Sequence, residues 1–317
     1  MPINGMTILF AGSGEFGAAT LTRLIDAEAA IVRVYTQPDR PAGRGKKLTP
    51  TPIAQLADAR GVNVVRTSDI NAESLPPADV MVVIAFGQKI APHVIDHPKF
   101  GSINLHASLL PKYRGAAPIH WAIVNGEAIT GNSVIRLANK MDAGAVLGQS
   151  QVNIGQTETT GELHERLAQD GAPLVERVLT ELRDGNAIET EQDHSLATIA
   201  PKLSREKSVI DWSRDAGSIS SLVRGLSPWP GCRVRVMDGE NEIARVTLVR
   251  TKTSPAEPDP TLQQSTWGTI DAHGSVRCAG GAVTVLELQP EGKRSMSLDA
   301  YRNGRSWHAG LRLESIA

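Results

Sequence analysis

The stretch from Gly101 to Asp142 decides how the chain is expected to fold. It reads GSINLHASLLPKYRGAAPIHWAIVNGEAITGNSVIRLANKMD. Its apolar runs at 101–106 and 131–137 are typical of buried strands, and Pro118 opens a helix between them. A strand–helix–strand unit of this length is usually a parallel crossover. The sequence therefore predicts that both strands bring their carboxyl ends to one edge of a sheet.

Three polar side chains lie at the ends of these two strands. Asn104 and His106 are two positions apart, which places them on one face of the first strand. Asp142 follows the second strand. Ligands bind at the carboxyl edge of open α/β sheets, so we expect the three side chains to form the reaction centre. The alternative interpretation is a structural hydrogen-bond network of the same three residues.

The residue types of this group indicate acyl transfer by direct attack. Asn104 can donate an N–H to an oxygen that becomes negatively charged, and His106 can donate or accept a proton. Asp142 would orient His106. The chain contains no G-x-S-x-G nucleophile elbow, and no cysteine accompanies the group, so a hydrolase triad is not indicated.

The segments before Gly101 are typical of an α/β domain. Apolar runs at 7–11, 31–36 and 80–85 predict strands, and helical patterns lie between them. We expect a Rossmann-like, mostly parallel sheet. The strand 80–85 is followed by Phe86, Gly87 and Gln88, where glycine lets a ligand approach the backbone.

A glycine-rich turn follows the first predicted strand. Residues 12–17 read GSGEFG, which matches the G-x-G-x-x-G pattern of dinucleotide sites. Such sites need an acidic residue at the tip of the second strand, where this chain has Tyr35, Thr36 and Gln37. A tight strand-to-helix turn built from small residues is the favoured interpretation.

The loop 37–52 has an unusual composition. It reads QPDRPAGRGKKLTPTP, with Arg40, Arg44, Lys46 and Lys47 against the single acid Asp39. Its prolines and glycines predict neither helix nor ladder strand. Long loops in compact domains are usually functional or disordered. The alternatives are a solvated basic loop and an arm that binds phosphates.

The second half of the chain changes in pattern. Thr159 and Glu162 form a capping-box signal for a helix that Gly185 ends. The pattern weakens over 190–208, which we interpret as a linker. From 209 onward, short alternating runs separated by Gly, Pro, Asp and Asn predict a small all-β barrel. The expected domains are therefore 1–189 and 209–317.

Composition excludes several classes of protein. The 317 residues carry a net charge of −1, which gives no global case for nucleic-acid binding. Cys232 and Cys278 have no metal-ligand spacing and imply no disulfide framework, so a reducing cytoplasm is expected. His93 and His97 lack a third ligand, and we expect no metal. Neither a signal peptide nor a membrane span is indicated.

Several motifs carry a family resemblance. The segments Ile103–Pro111, Arg114–Pro118 and Met141–Gly144 resemble the 10-formyltetrahydrofolate-dependent formyltransferases. The resemblance extends over nearly the whole chain. The basic loop, together with the motifs KLS at 202–204, IDW at 210–212 and PWP at 228–230, narrows it to the branch that acts on methionyl-tRNA.

The resemblance implies a reaction and its residues. The formyl group of 10-formyltetrahydrofolate would pass to the α-amino group of methionyl-initiator tRNA, in an enzyme that is expected to be a cytoplasmic monomer. The second domain resembles an OB-like barrel that helps to hold the tRNA. The implied site residues are catalytic Asn104, His106 and Asp142; folate-binding Ser108, Leu109, Leu110, Pro111, Phe86, Gly87 and Gln88; and tRNA-binding Arg40, Arg44, Lys46 and Lys47.

Three positions differ from the family pattern, and three alternative functions remain open. Gly14, Ala107 and Ala145 stand where the family often has proline, glycine and aspartate, and the last two would tune the folate pocket. Two rival enzymes would share the catalytic residues: a formyltransferase for a small amine and a formyl-folate hydrolase. A non-enzymatic dinucleotide- or tRNA-binding module is the third alternative.

Overall fold

The structure is a computed structural model that describes residues 5–42, 45–254 and 266–316. Arg44, one of the predicted tRNA-binding residues, lies outside the described residues. The elements of the first part are β1 (Thr7–Gly12), α1 (Ala18–Asp26), β2 (Ala30–Thr36), β3 (Arg40–Ala42), β4 (Lys47–Thr49), α2 (Pro52–Ala59), β5 (Val64–Arg66), β6 (Val80–Ile84), α3 (Pro92–Ile95), β7 (Ser102–His106), β8 (Arg114–Gly115), α4 (Pro118–Val124), β9 (Ile129–Arg136) and β10 (Val146–Asn153).

The later elements begin with a long helix and continue mainly as strands. They are α5 (Thr160–Arg183), β11 (Ile199–Ala200), α6 (Ala216–Gly225), β12 (Cys232–Asp238), β13 (Asn241–Thr253), β14 (Val276–Cys278), β15 (Gly281–Pro290), β16 (Met296–Ser297), α7 (Leu298–Arg302) and β17 (Arg312–Ile316).

The chain divides into two compact units. The first contains the residues up to Gly115 together with Gly131–Val152 and His164–Ile199. The second contains Ala116–Thr130, Asn153–Leu163 and the chain from Ala200 onward. Both units are therefore assembled from separate segments of the chain.

The first unit is built on a seven-stranded sheet with the order β10-β9-β7-β6-β1-β2-β5. The pairs β1/β2, β1/β6, β2/β5 and β6/β7 are parallel. All five residues of β6 are buried, as its continuous apolar run predicts. The strand order reverses between β1 and β6, and ligands bind at the carboxyl ends of strands at such a switch point. The predicted Rossmann-like sheet is confirmed.

The predicted parallel crossover between β7 and β9 is wrong. The two strands are antiparallel, with His106 opposite Ser133 and Ile103 opposite Arg136. The carboxyl end of β9 therefore lies beside the start of β7, about 10 Å from His106 at the usual rise per residue. Asp142 reaches His106 because the connection between β9 and β10 folds back, and not because two carboxyl ends share an edge.

The loop 37–52 contains strands, contrary to the prediction. β3 and β4 form an antiparallel hairpin in which Pro41 pairs with Leu48. The hairpin forms its own two-stranded sheet, so both strands are edge strands, where proline is tolerated because one side of the backbone needs no partner.

The second unit contains an antiparallel sheet with the order β14-β15-β13-β12-β17, and β16 pairs with β15. This agrees with the predicted small β-barrel domain. The sequence pattern missed α6 and α7. Val223 of α6 and Tyr301 of α7 are buried in one core with strand residues such as Val234 and Leu288.

The predicted capping box at the start of α5 is confirmed. The Thr159 backbone N–H donates to Glu162 Oε2 over 2.9 Å, and the Glu162 N–H lies 3.5 Å from Thr159 Oγ1. Arg250 of β13 donates to Glu162 Oε1 over 2.7 Å. The guanidinium of Arg250 is the main reason that the pKa of Glu162 falls to about 2.

Candidate active site

The carboxyl ends of β1 and β6 are joined by backbone hydrogen bonds. The Ser13 and Gly14 N–H groups donate to Ala85 O over 3.3 and 3.4 Å. Ala85 has φ +46° and Gly87 has φ +78°. Glycine is favoured at position 87 by its positive φ, and a Cβ there would lie 2.5 Å from Gln37 Nε2 and displace the Gln37 amide.

Gln37 connects this turn to the basic hairpin. Its Nε2 donates to Phe86 O over 2.8 Å, and its Oε1 accepts a hydrogen bond from Arg40. The base of the hairpin is thereby tied to the backbone that follows β6. Arg40, Lys46 and Lys47 are themselves exposed.

Two of the residues predicted to bind folate have side chains engaged elsewhere. The Phe86 side chain is only 2% exposed and belongs to a core cluster that includes Leu9 and Tyr35. Gln88 accepts from the Ile70 N–H over 2.9 Å and donates to Thr67 O over 2.7 Å. What this segment presents at the sheet edge is therefore mainly backbone.

Asn104 lies in β7 beside β6. Its Nδ2 donates to Val83 O over 2.9 Å. An amide nitrogen carries two N–H groups, so one remains to donate to a ligand. The bond to Val83 fixes the orientation of the amide.

His106 ends β7 and is 7% exposed. Its Nε2 lies 2.9 Å from Tyr113 O, and because a carbonyl oxygen only accepts, Nε2 must carry the hydrogen of this bond. Nδ1 lies 3.6 Å from Asp142 Oδ2. This separation exceeds hydrogen-bond length.

Asp142 has a left-handed backbone, with φ +51°. Its Oδ2 accepts from the Gly115 N–H over 2.8 Å. Its carbonyl oxygen accepts from Gln192 Nε2 over 2.9 Å. The structure thus brings Asp142 to His106, as the sequence predicts, although along a different path.

The segment after β7 is anchored to β9. Ser133 Oγ donates to Ser108 O over 2.6 Å and accepts from the Leu110 N–H over 3.0 Å. Ser108 is fully buried, and the Leu110–Pro111 peptide is cis. The predicted folate role of Ser108, Leu109, Leu110 and Pro111 stays a prediction.

The sequence pattern missed three residues next to this centre. Arg114 is 4% exposed and donates to Gln192 Oε1 and to His194 Nδ1. Gln192 and His194 lie in the segment that the sequence pattern assigned to a linker. The only available signal was Arg114, which belongs to one of the motifs that carry the family resemblance.

The arrangement provides an amide donor, an imidazole and a carboxylate at one edge of the sheet, which suits stabilisation of developing negative charge. Among residues 5–42, 45–254 and 266–316, no group of three His, Cys, Asp or Glu residues is placed to hold a metal ion. Within the same ranges, no helix has the length and apolar character needed to cross a membrane.

Family comparisons cover both halves of the chain. The family described as "Formyl transferase" matches residues 6–179, and "Formyl transferase, C-terminal domain" matches residues 202–306. A methionyl-tRNA formyltransferase of Geobacter metallireducens is 36% identical over 98% of this chain and 99% of its own length. One from Methylococcus capsulatus is 38% identical over 97% and 99%.

Solved structures share the fold at low identity. WlaRD, a sugar 3N-formyl transferase solved with dTDP and 5-N-formyl-THF, has a TM-score of 0.66 and 15% identity, covering 91% of this chain and 99% of its own. HypX from Aquifex aeolicus, solved with tetrahydrofolic acid, has a TM-score of 0.59 and 17% identity, covering 94% of this chain and 46% of its own.

Proposed function

Because the chain belongs to the formyl transferase family, we propose that it transfers the formyl group of 10-formyltetrahydrofolate to the α-amino group of methionyl-initiator tRNA. The observation that carries this conclusion is identity of 36–38% to methionyl-tRNA formyltransferases over nearly the full length of both chains. The products are formylmethionyl-tRNA, used in translation initiation, and tetrahydrofolate.

The reaction forms one bond and breaks another at the formyl carbon. The neutral amine of the methionyl group bonds to that carbon, the bond from the carbon to the folate nitrogen breaks, and one amine proton ends on the folate nitrogen. No oxidant or metal is needed for this exchange. As the amine attacks, negative charge develops on the formyl oxygen.

We assign the stabilisation of that oxygen to Asn104. The N–H that Val83 leaves free can donate to it, and the bond to Val83 fixes the amide before the reaction begins. A donor fixed in advance costs no reorganisation at the moment of reaction.

His106 and Asp142 are assigned to charge and proton handling beside Asn104. With Nε2 against Tyr113 O and Nδ1 facing Asp142, a doubly protonated ring finds an acceptor at each nitrogen. Proton exchange with the reacting groups then requires that one ring nitrogen be released, or that a water molecule relay the proton.

We propose that different parts of the chain bind the formyl donor and the tRNA that accepts the formyl group. The turn at 85–88 and the segment 108–111 are proposed to hold the folate. Arg40, Lys46 and Lys47 are proposed to hold tRNA phosphates, as their exposure and charge support, and Arg44 is proposed to join them on its charge alone. We further propose a cytoplasmic monomer, with a catalytic domain at 1–189 and a tRNA-binding domain at 209–317.

The direct test is an assay with the formyl donor and charged initiator tRNA, in which formylmethionine is measured after deacylation. We expect formylmethionine to form in proportion to enzyme. Free methionine and another small amine serve as control acceptors. Formylation of these amines at the rate seen with tRNA, or release of free formate alone, would refute the tRNA acceptor.

A loop variant separates this function from its closest rivals. Replacing Arg44 and Lys46 by Ala should raise the KM for tRNA, most of all at low salt, and leave formyl-folate binding unchanged. Fewer phosphate contacts release fewer counterions, so the KM of the variant should rise less steeply with salt than that of the parent. Equal loss of binding to both substrates would contradict a tRNA-specific role of the hairpin.

A further inference from the structure

A glutamine in the predicted linker holds the chain at Asp142. Gln192 is 7% exposed, and its Nε2 donates to Asp142 O over 2.9 Å and to Gly144 O over 2.7 Å. Its Oε1 accepts two bonds from Arg114, over 3.1 Å from Nε and 2.6 Å from Nη2. Both N–H groups and both acceptor sites of the Gln192 amide are therefore in use.

Arg114 determines which way this amide faces. A guanidinium only donates, so the amide oxygen must point to Arg114 and the amide N–H groups must point to the two carbonyls. Arg114 is itself 4% exposed, and His194 Nδ1 accepts from it over 2.8 Å. A buried amide whose donors and acceptor sites are all used is held rigidly.

The chain that Gln192 holds adopts a demanding conformation. The φ of Asp142, +51°, is disfavoured for a residue with a side chain. A Cβ at Gly144 would lie 1.9 Å from Arg136 O, so the backbone passes β9 as closely as glycine allows. Such a conformation persists only when neighbouring contacts impose it.

We propose that Gln192, oriented by Arg114, is a positioning residue that fixes the 142–144 backbone so that the Asp142 carboxylate faces His106. The inference rests on the proposed function, because formyl transfer supplies its kinetic readout. Gln192 donates to the backbone of Asp142 and Gly144, and within the described residues it has no hydrogen bond to Asn104 or His106. Its loss should therefore lower kcat and leave substrate binding intact.

Gln192→Glu tests the proposal without emptying the site. The carboxylate keeps an acceptor for Arg114 but cannot donate to Asp142 O or Gly144 O. We expect kcat to fall about 10–100-fold, a common cost when a residue that orients a functional group is changed. The KM values for tRNA and for the formyl donor should stay within about twofold. An unchanged kcat would overturn the proposal.

Glu189→Gln is the matched control, three positions before Gln192. Glu189 accepts from Arg136 Nη2 over 2.7 Å and has no assigned part in the reaction. Its loss removes a charged contact between the same two stretches of chain, and we expect kcat within about twofold of the parent. A loss as large as that of Gln192→Glu would mean that any weakening of this segment lowers turnover, against a specific role of Gln192.

A double-mutant cycle separates positioning from general support. In an Asp142→Ala background, Gln192→Glu should change kcat by less than about twofold, because the group it positions is gone. The same 10–100-fold loss in both backgrounds would overturn the proposal. Arg114→Lys provides a second entry to the cycle if Gln192→Glu does not fold, since lysine keeps the charge but loses the two parallel bonds.

A structural comparison keeps this inference separate from the proposed function. Crystal structures of the parent and of Gln192→Glu should show residues 140–144 displaced and Asp142 farther from His106. This result does not depend on which substrate the enzyme uses. An unmoved loop would overturn the positioning role even if formyl transfer is confirmed, and a displaced loop would support it even if the assay with tRNA fails.

Discussion

Asp142 in the first unit and Glu162 in the second are held in opposite ways. Glu162 lies 2.7 Å from Arg250 and 2.9 Å from the Thr159 N–H, and its pKa is about 2. Asp142 lies 3.6 Å from His106 on a left-handed backbone. Glu162 lies within hydrogen-bond distance of its charged partner Arg250, whereas Asp142 and His106 are farther apart than a hydrogen bond allows.

The difference indicates what each carboxylate contributes. A paired charge with short bonds stabilises the fold and has little freedom to respond to a ligand. A carboxylate beside an imidazole, held through its backbone and one N–H, remains available when charge develops nearby. The contrast supports a stabilising role for Glu162 and the proposed catalytic role of Asp142, and each role can be tested separately.

The largest expected effect tests Asn104 as the proposed donor to the oxyanion. Asn104→Ala should lower kcat about 10²–10³-fold, the usual cost of one oxyanion donor. Steady-state formylation at saturating substrates measures it, with circular dichroism as the control for folding. Turnover close to that of the parent would remove Asn104 from the chemistry.

The next effect tests Asp142 by removing only its charge. Asp142→Asn keeps an acceptor for the Gly115 N–H and a residue type that tolerates positive φ. We expect kcat to fall about 10²-fold with the melting temperature nearly unchanged, because a group that orients or charges the general acid–base is lost. A variant with a lowered melting temperature and an unchanged kcat would show that Asp142 has a structural role and not the proposed catalytic one.

Glu162→Gln is the matching neutralisation in the second unit. The charge-assisted bond to Arg250 is lost, while glutamine can still cap the helix. The Glu162 side chain is 46% exposed, so after solvent screening we expect a loss of only about 1 kcal/mol. The melting temperature should fall by about 2–4 °C with kcat unchanged. Calorimetry beside the formylation assay measures both, and a tenfold loss of kcat would contradict a purely structural role.

The smallest expected effect is the pH dependence of the stabilisation that Glu162 provides. The pKa of Glu162 is lowered from 4.5 in the unfolded chain to about 2 in the folded protein. Its stabilisation is therefore complete above pH 4.5 and is lost as the pH falls from there towards 2. The difference in melting temperature between the parent and Glu162→Gln should shrink over this range. A difference that does not change with pH would assign the effect to packing.

Features that depend on spacing within one element could be predicted from the sequence. The capping box needs only Thr159 and Glu162 three positions apart, and β6 needs only an unbroken apolar run. The placement of Asn104 and His106 at the end of β7 follows from its period of two. These signals are local, so they survive whatever the rest of the chain does.

Other features could not be predicted because they depend on the path of the chain. The run 131–137 shows that a strand exists but not its direction, which pairing with β7 decides. The proline-rich loop can form a hairpin because β3 and β4 pair only with each other, and edge strands of this kind tolerate proline.

The sequence by itself therefore determined that the sheet is mostly parallel, that the second half is β-rich and that Asn104, His106 and Asp142 lie in one region. Only the tertiary structure decided how Asp142 arrives there and what holds it. Gln192 is 50 positions from Asp142 and 78 from Arg114. Residues so far apart meet only when the intervening strands have paired, and no pattern within a single element encodes that meeting.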